Sequence, residues 1–353
     1  MSLMIIRRYI LSEILQSFLI SLLGLNLTLM MEKLIRLSRL LTGLGATAGD
    51  FVMVILLVQP QLMLLSLPMA LLLSVLITYG RLALDNEIMV LRTSGLRKAR
   101  LYEPVFILSA VVLIMSFIVS LYLMPVTLKT LRSNINSIVK KRAPLAIEPG
   151  VFFDAFRELT ILIQKKKGSG RLKDVFLYDS RDKKNAKVIT AREASIMPDN
   201  RGVVFRLKDG MIHFARGYES TEFRFSEYIF RLNLSGSVLS KRKNEMTLKE
   251  ILEAIKNRAY KREDYFIELH RRFTFPLMIV VIAFLAPSLS LISGKTGRVG
   301  GFFIALIVFL AYYTMLIYLE NLVRTDRAPQ WICWLPLAVF STAAYVLYRR
   351  VGE

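Results

Sequence analysis

The chain has 353 residues, 54% of them apolar, and a formal net charge of +21. A soluble domain does not carry that apolar share in several long runs, so the composition excludes a simple soluble protein and points to a chain that crosses a membrane repeatedly. The charge calls for an anionic partner, nucleic acid or lipid phosphate; the apolar runs favour lipid, and no nucleic acid is expected.

Arg7 and Arg8 precede the first apolar run. The run is too long for a signal peptide and lacks a small-residue cleavage site, so it reads as an uncleaved helix. A helix needs roughly 20 mostly apolar residues to cross a bilayer, and six segments satisfy this: 11–31, 51–79, 101–124, 273–292, 302–319 and 331–348. Pro60, Pro68, Pro276, Pro287 and Pro336 fall in or near these runs, where neighbouring helices can satisfy the freed carbonyls. Basic residues in the short connections (Arg81, Arg92, Arg97, Lys98 and Arg100; Lys295 and Arg298) and at both ends place the N- and C-termini in the cytoplasm.

Between the third and fourth runs lies a hydrophilic insert, outside the cytoplasm in this topology. Short runs rich in Val, Ile, Phe and Tyr at 159–164, 173–178, 187–189, 203–208, 211–215 and 222–234 read as strands. Asp209-Gly210 reads as a hairpin turn between two of them. Phe223, Phe225, Tyr228, Phe230, Leu232 and Leu234 alternate with period two, with a slip near Ser226. Helix-like stretches at 127–141 and 247–262 flank the strands. The expected fold is an α-helical polytopic membrane protein with six transmembrane helices and an inserted β-sandwich or jelly-roll domain on helical stalks. Its parts are 1–126, 127–265 and 266–353.

Residues 81–92 show helical periodicity, with Leu84, Ile88 and Leu91 on one stripe. Arg81, Asp85 and Arg92 share one flank and Glu87 lies on the other; Thr93-Ser94-Gly95 ends the helix, with Gly95 suited to a left-handed cap. Such a helix either docks a soluble partner or lies solvated at the interface, and amphipathicity alone leaves both open. Lys33, Arg36 and Arg39, spaced i, i+3, i+6 at the outer end of the first helix, either bind lipid phosphate or snorkel to head groups.

Catalytic chemistry finds little support. One cysteine, Cys333, and two histidines, His213 and His270, exclude an intrachain disulfide and a histidine-rich metal site. Gly294-Lys295-Thr296 lacks the upstream glycine of a phosphate-binding loop, position 289 being Leu289. Glu268, His270, Arg271 and Arg272 have no nucleophile or second carboxylate beside them and read as belt charges. Neither a catalytic residue, a metal nor a cofactor is assigned. The basic surplus of the insert fits either lipid steering or attraction to an anionic membrane surface, and its apolar alternation is read first as core.

Several stretches, in order and at fitting separations, resemble the LptF/LptG family of lipopolysaccharide-export permeases. They are Ile5-Ile6-Arg7-Arg8-Tyr9, Glu32-Lys33-Leu34-Ile35-Arg36, Leu67-Pro68, Tyr79-Gly80-Arg81, Asn86-Glu87-Ile88, Thr93-Ser94-Gly95-Leu96, 172–177 and Gly297-Arg298-Val299. They resemble the F paralogue more than the G. The resemblance implies a permease subunit in the inner membrane, with the insert as a periplasmic β-jelly-roll. The implied partners are an LptB-like ATPase dimer, an LptG-like second permease, an LptC/LptA-like periplasmic bridge, and lipopolysaccharide as cargo. It implies that Glu87, on a coupling helix with Asp85, Arg92 and Gly95, seats in the ATPase groove, and that Lys33 and Arg36 face the lipopolysaccharide cavity. Arg39 matches more loosely, and Arg324 lies near a basic family position with departing local spacing. On this resemblance docking prevails over the interfacial reading, and phosphate binding over snorkelling. The competing class is a membrane-anchored scaffold that moves nothing.

Overall fold

A computed structural model describes residues 2–43, 47–146, 150, 152–156, 159–167, 171–180, 186–199, 202–216, 219–233, 243–257, 262–293 and 297–350. The elements in chain order are α1 (Ser2–Gly43), α2 (Ala48–Leu84), α3 (Glu87–Thr93), α4 (Lys98–Ile118), a π-turn (Val119–Leu123), α5 (Met124–Ala146), then β1 (Phe152–Phe156), β2 (Leu159–Lys167), β3 (Arg171–Asp179), β4 (Lys187–Asp199), β5 (Gly202–Arg216), β6 (Glu219–Asn233), and finally α6 (Leu248–Lys256), α7 (Arg262–Ser293), α8 (Gly297–Arg324) and α9 (Leu335–Arg350). Among the described residues six helical stretches are long and apolar enough to cross a bilayer: Met4–Ile35, Ala48–Leu84, Ala99–Ile135, Arg262–Ile292, Val299–Arg324 and Gln330–Arg350. The chain is a multi-pass membrane protein. Pro60 and Pro68 lie inside α2, and Pro276 and Pro287 inside α7.

The chain divides into two compact units. The first is Met1–Met30, Val58–Leu128 and Lys243–Glu353; the second is Met31–Leu57 and Lys129–Arg242. In the first, Ile10 and Ile14 of α1, Leu67, Leu71 and Val75 of α2, Leu101 and Val105 of α4, and Ile279 and Ala286 of α7 bury almost completely into one core. Small residues bring backbones together between α2 and α8. A Cβ built on Gly80 would lie 2.9 Å from the carbonyl oxygen of Gly297, and one on Gly301 would lie 2.8 Å from that of Leu76. This is the close approach that glycine permits between membrane helices. It gives a packing reason for two of the sequence stretches, Tyr79-Gly80-Arg81 and Gly297-Arg298-Val299.

The second unit holds a six-stranded antiparallel sheet in the order β1-β2-β3-β4-β5-β6. Among the described residues each strand pairs only with its neighbours in sequence, as a meander; the Greek-key crossovers between two sheets that define a jelly roll are not seen among them, so the jelly-roll expectation is not confirmed. The hairpin expected at Asp209-Gly210 is also absent. The strand β5 runs straight through it from Gly202 to Arg216, paired with β4 and β6 on both sides of that point.

Asp209 instead belongs to a crease. Gln164, Asp174, Arg192, Asp209 and Ser226 form one row across β2 to β6, and in each adjoining pair of strands this row is skipped while the register on either side is kept. Asp174 and Asp209 take positive φ, 53° and 50°, a conformation that aspartate tolerates better than most residues. Across this row the alternation of buried side chains reverses. On β3 the buried positions are Val175 and Leu177 on one side of the row and Leu172 on the other; on β4 they are Ile189 and Ala191, then Ala194; on β5 Ile212, and across the row Leu207 and Phe205. The slip seen near Ser226 is this crease read in one strand. A cavity of about 810 Å³ runs along it, lined by Asp174, Arg192, Asp209, Met211, Arg224 and Phe225 among others.

Candidate functional site

The connection between α2 and α4 carries the assigned coupling residues. A single helix over 81–92 is not what forms: α2 continues through Arg81 to Leu84, the chain turns at Asp85-Asn86, and α3 begins at Glu87. Asn86 takes φ 56°, and the amides of Asp85 and Asn86 close the turn on the carbonyls of Arg81 and Ala83. Asparagine visits this left-handed region readily, so the break sits where the sequence allows it. At the other end Gly95 takes φ 85°, its amide bonds the Arg92 carbonyl at 3.1 Å, and the Leu96 amide bonds the Leu91 carbonyl at 3.2 Å. That pair of bonds is a Schellman motif, and Gly95 is the left-handed cap its sequence foretold.

The break changes which side chains meet. Arg81 donates to Asp85 at 3.3 Å and to the Tyr9 hydroxyl at 2.9 Å, forms an ion pair with Glu13, and lies 3.7 Å from Glu87. The Tyr9 hydroxyl also donates to Glu87 at 3.4 Å. Glu87, expected on the flank opposite Arg81, therefore faces it, because the left-handed Asn86 resets the helical phase. Arg92 does not join this cluster; it lines a groove of about 470 Å³ with Ala83, Asn86, Ile88, Thr93 and Leu291. Ile88 is buried and anchors α3, while Met89 and Val90 stand exposed. The result is a short helix, capped at its C-terminal end, with its apolar anchor inward and Met89, Val90 and part of Glu87 outward. Beside it, Glu103 accepts from Arg7 at 3.0 Å and from Arg100 at 3.1 Å, joining α1 to α4.

Tyr9 and Glu13 were missed by the reading of the sequence, because they come from α1 and no local spacing connects them to Arg81. One signal was available. Glu13 is an acid within a membrane-spanning run, and such a residue asks for a named partner.

The lipid-facing candidates come from two helices, α1 and α8. Lys33 lies on α1 and is half-buried. Arg36 and Arg39 follow on the same helix, but their side chains lie outside the described residues, as does Gly294-Lys295-Thr296. Arg324, the last residue of α8, is half exposed and pairs with Asp264 at 3.3 Å; Asp264 also pairs with Lys243.

The residues preceding the fourth apolar run are not belt charges facing head groups. Arg272 is 1% exposed and donates to the Met246 carbonyl at 2.5 Å and to Glu268 at 3.3 Å. Arg271 pairs with buried Glu320, and the Trp334 indole donates to His270 Nδ1 at 2.9 Å. Ser120, in the π-turn, donates to the Arg272 carbonyl at 3.0 Å. Burial of this density needs internal partners, and each charge has one. Among the described residues no group of three or more His, Cys, Asp or Glu could hold a metal, and Cys333 is a buried free thiol.

Comparison with known proteins gives these features a context. Residues 8–350 match the family model for the lipopolysaccharide export system permease LptF/LptG. The chain is 25% identical over 322 residues to the lipopolysaccharide export system permease protein LptF of Escherichia coli K12, covering 88% of this chain and 85% of that one, and the same figures hold for LptF of Shigella flexneri. It is also 24% identical over 250 residues to an uncharacterized protein of Rickettsia prowazekii, covering 69% of each. A match spanning nearly the full length, on a chain whose described residues hold six helices long and apolar enough to cross a membrane and an inserted sheet, leads to one conclusion: the chain belongs to the LptF/LptG family of lipopolysaccharide export system permeases.

Proposed function

We propose that this chain is the F-type permease subunit of an ABC transporter that extracts lipopolysaccharide from the inner membrane. In this reading it pairs with an LptG-like permease and two LptB-like ATPase subunits, which hydrolyse the ATP; the chain itself carries no catalytic site. Its termini are cytoplasmic and its sheet unit is periplasmic, where it passes lipid to an LptC/LptA-like bridge. The observation that supports the coupling role most directly is α3, a seven-residue helix with Ile88 buried, Met89 and Val90 exposed, and Glu87 in its first turn. An exposed apolar and acidic surface of this kind fits a groove in a soluble partner. Lys33 and Arg36 supply cations for the phosphates of the lipid.

The test is made on the complex purified in detergent. Mass spectrometry is expected to find the chain with an ATPase, a second permease and bound lipopolysaccharide, and a photo-crosslinker at position 33 is expected to capture that glycolipid. Glu87→Ala is expected to abolish ATP-coupled lipid release with the complex intact. Coupling retained in an intact Glu87→Ala complex, or capture of bulk phospholipid alone at position 33, would refute the reading.

A further inference from the structure

We propose that Arg81 is a positioning residue that fastens the coupling helix to α1, so that displacement of α3 is passed to α1 as well as to α2. The inference rests on the transporter reading above and concerns how the push arrives, not where the ATPase binds.

Three elements meet at one guanidinium. The residue itself stands in the last turn of α2; Glu13 and Tyr9 come from α1; Asp85 lies in the turn into α3 and Glu87 opens α3. Arg81 is only 22% exposed by its side chain and Glu13 only 25%, and a charge-assisted contact so shielded from water holds more firmly than an open surface pair. Glu87 is held differently. Its carboxylate is 3.7 Å from Arg81 and 3.4 Å from the Tyr9 hydroxyl, and it is 34% exposed. The tie to α1 is thus the close one, and the tie to Glu87 is loose enough to leave carboxylate surface for a partner.

The covalent connection does not join these elements directly. The link between α2 and α3 is the turn at Asp85-Asn86, and α1 reaches α3 along the chain only by way of α2. Arg81 and Tyr9 link α1 to α3 through space. The planar guanidinium suits the task because it presents several donors in a fixed fork, reaching Tyr9 and Glu13 through one nitrogen and Asp85 through another. Without it, Glu13, Asp85 and Glu87 are three carboxylates around one point, and like charges push the three elements apart.

The experiment uses the full complex with its ATPase and second permease in vesicles of phosphatidylethanolamine and phosphatidylglycerol loaded with purified lipopolysaccharide. The readout is lipid extracted per ATP hydrolysed. Arg81→Gln is expected to lower this ratio about tenfold, in keeping with loss of a charge-assisted contact between partly buried groups. Arg81→Lys, which keeps the charge but not the fork, is expected to recover part of it, and Tyr9→Phe to lower it severalfold by removing one hydroxyl. If the wild-type complex extracts lipid and Arg81→Gln does so at an unchanged ratio, including the case where both rates fall in step, the inference is overturned and the transporter reading stands. If Arg81→Gln does not assemble, Tyr9→Phe decides: a lowered ratio supports the inference and an unchanged one overturns it. If the wild-type complex extracts no lipid, the transporter reading fails and the inference fails with it.

Discussion

Alanine placed at Gly301 and alanine placed at Gly24 have opposite expected effects, although both glycines sit inside long membrane helices. At Gly24 a Cβ meets nothing within 4 Å, so the change brings only the helix-propensity gain, at most about 1 kcal/mol. At Gly301 the new Cβ would lie 2.8 Å from the Leu76 carbonyl oxygen and 3.0 Å from its carbon, both backbone atoms that no rotamer change can move. The helices α2 and α8 must separate by several tenths of an ångström, and overpacking of this kind costs about 1–3 kcal/mol. Gly301→Ala is thus net destabilising by roughly 0–2 kcal/mol after the propensity gain. The gap between the two variants is about 1–3 kcal/mol, since both share that gain. Cys333 provides the assay. It is the chain's single cysteine and is buried, so a thiol-reactive fluorogenic dye reports unfolding of the detergent-solubilised protein on heating. At roughly 2–4 °C per kcal/mol, Gly301→Ala should melt several degrees below Gly24→Ala, with Gly80→Ala on the same low side. Equal midpoints for Gly301→Ala and Gly24→Ala would refute the close α2–α8 packing.

Two further outcomes follow from the geometry. Asp209→Val puts a β-branched residue at φ 50° and should destabilise the sheet by about 1–2 kcal/mol, read as faster amide hydrogen exchange in β4 to β6 of the full chain; Arg192→Val, in the same row without positive φ, should exchange as wild type. Arg272→Ala leaves Glu268 and the Met246 carbonyl without their donor in a buried setting and should lower stability by about 3–5 kcal/mol, whereas Arg272→Ala combined with Glu268→Gln should recover part of it; no recovery in the same thiol assay would mean the pair is not what holds that region.

The helices were legible because membrane insertion writes itself into composition: a run such as 51–79 must be apolar along its whole length, whatever it packs against. Their true ends were not. The first helix extends to Gly43 and the second from Ala48 to Leu84, past the apolar limits, because polar residues at helix ends meet water and carry no hydropathy signal. Gly95 was legible for a local reason, a left-handed cap needing a residue without Cβ. Asn86 was equally local in its chemistry but was read through, since the stripe of Leu84, Ile88 and Leu91 implied a continuous helix. The stripe survives the break only in part: Ile88 is buried, and Leu84 is 42% exposed.

The sheet shows the other way in which a local signal misleads. Asp209-Gly210 satisfies the residue preferences of a two-residue hairpin turn, and those preferences reflect tolerance of positive φ and lack of side-chain bulk. A crease needs the same two properties. Asp209 supplies the positive φ, and Gly210 supplies the missing bulk, since a Cβ there would collide with the Thr190 carbonyl and the Phe225 ring. What separates turn from crease is whether the flanking runs pair with each other or with third strands, and here 203–208 and 211–215 both pair with β4 and β6. The parity of the alternation carried the deciding information. Across a hairpin each run keeps its own buried face, whereas across the crease one strand changes face at a single residue, and the slip at Ser226 recorded that change in β6. A slip in period at matching positions of successive strands, Asp174, Arg192, Asp209 and Ser226, is therefore a sequence mark of a folded sheet rather than of a chain reversal.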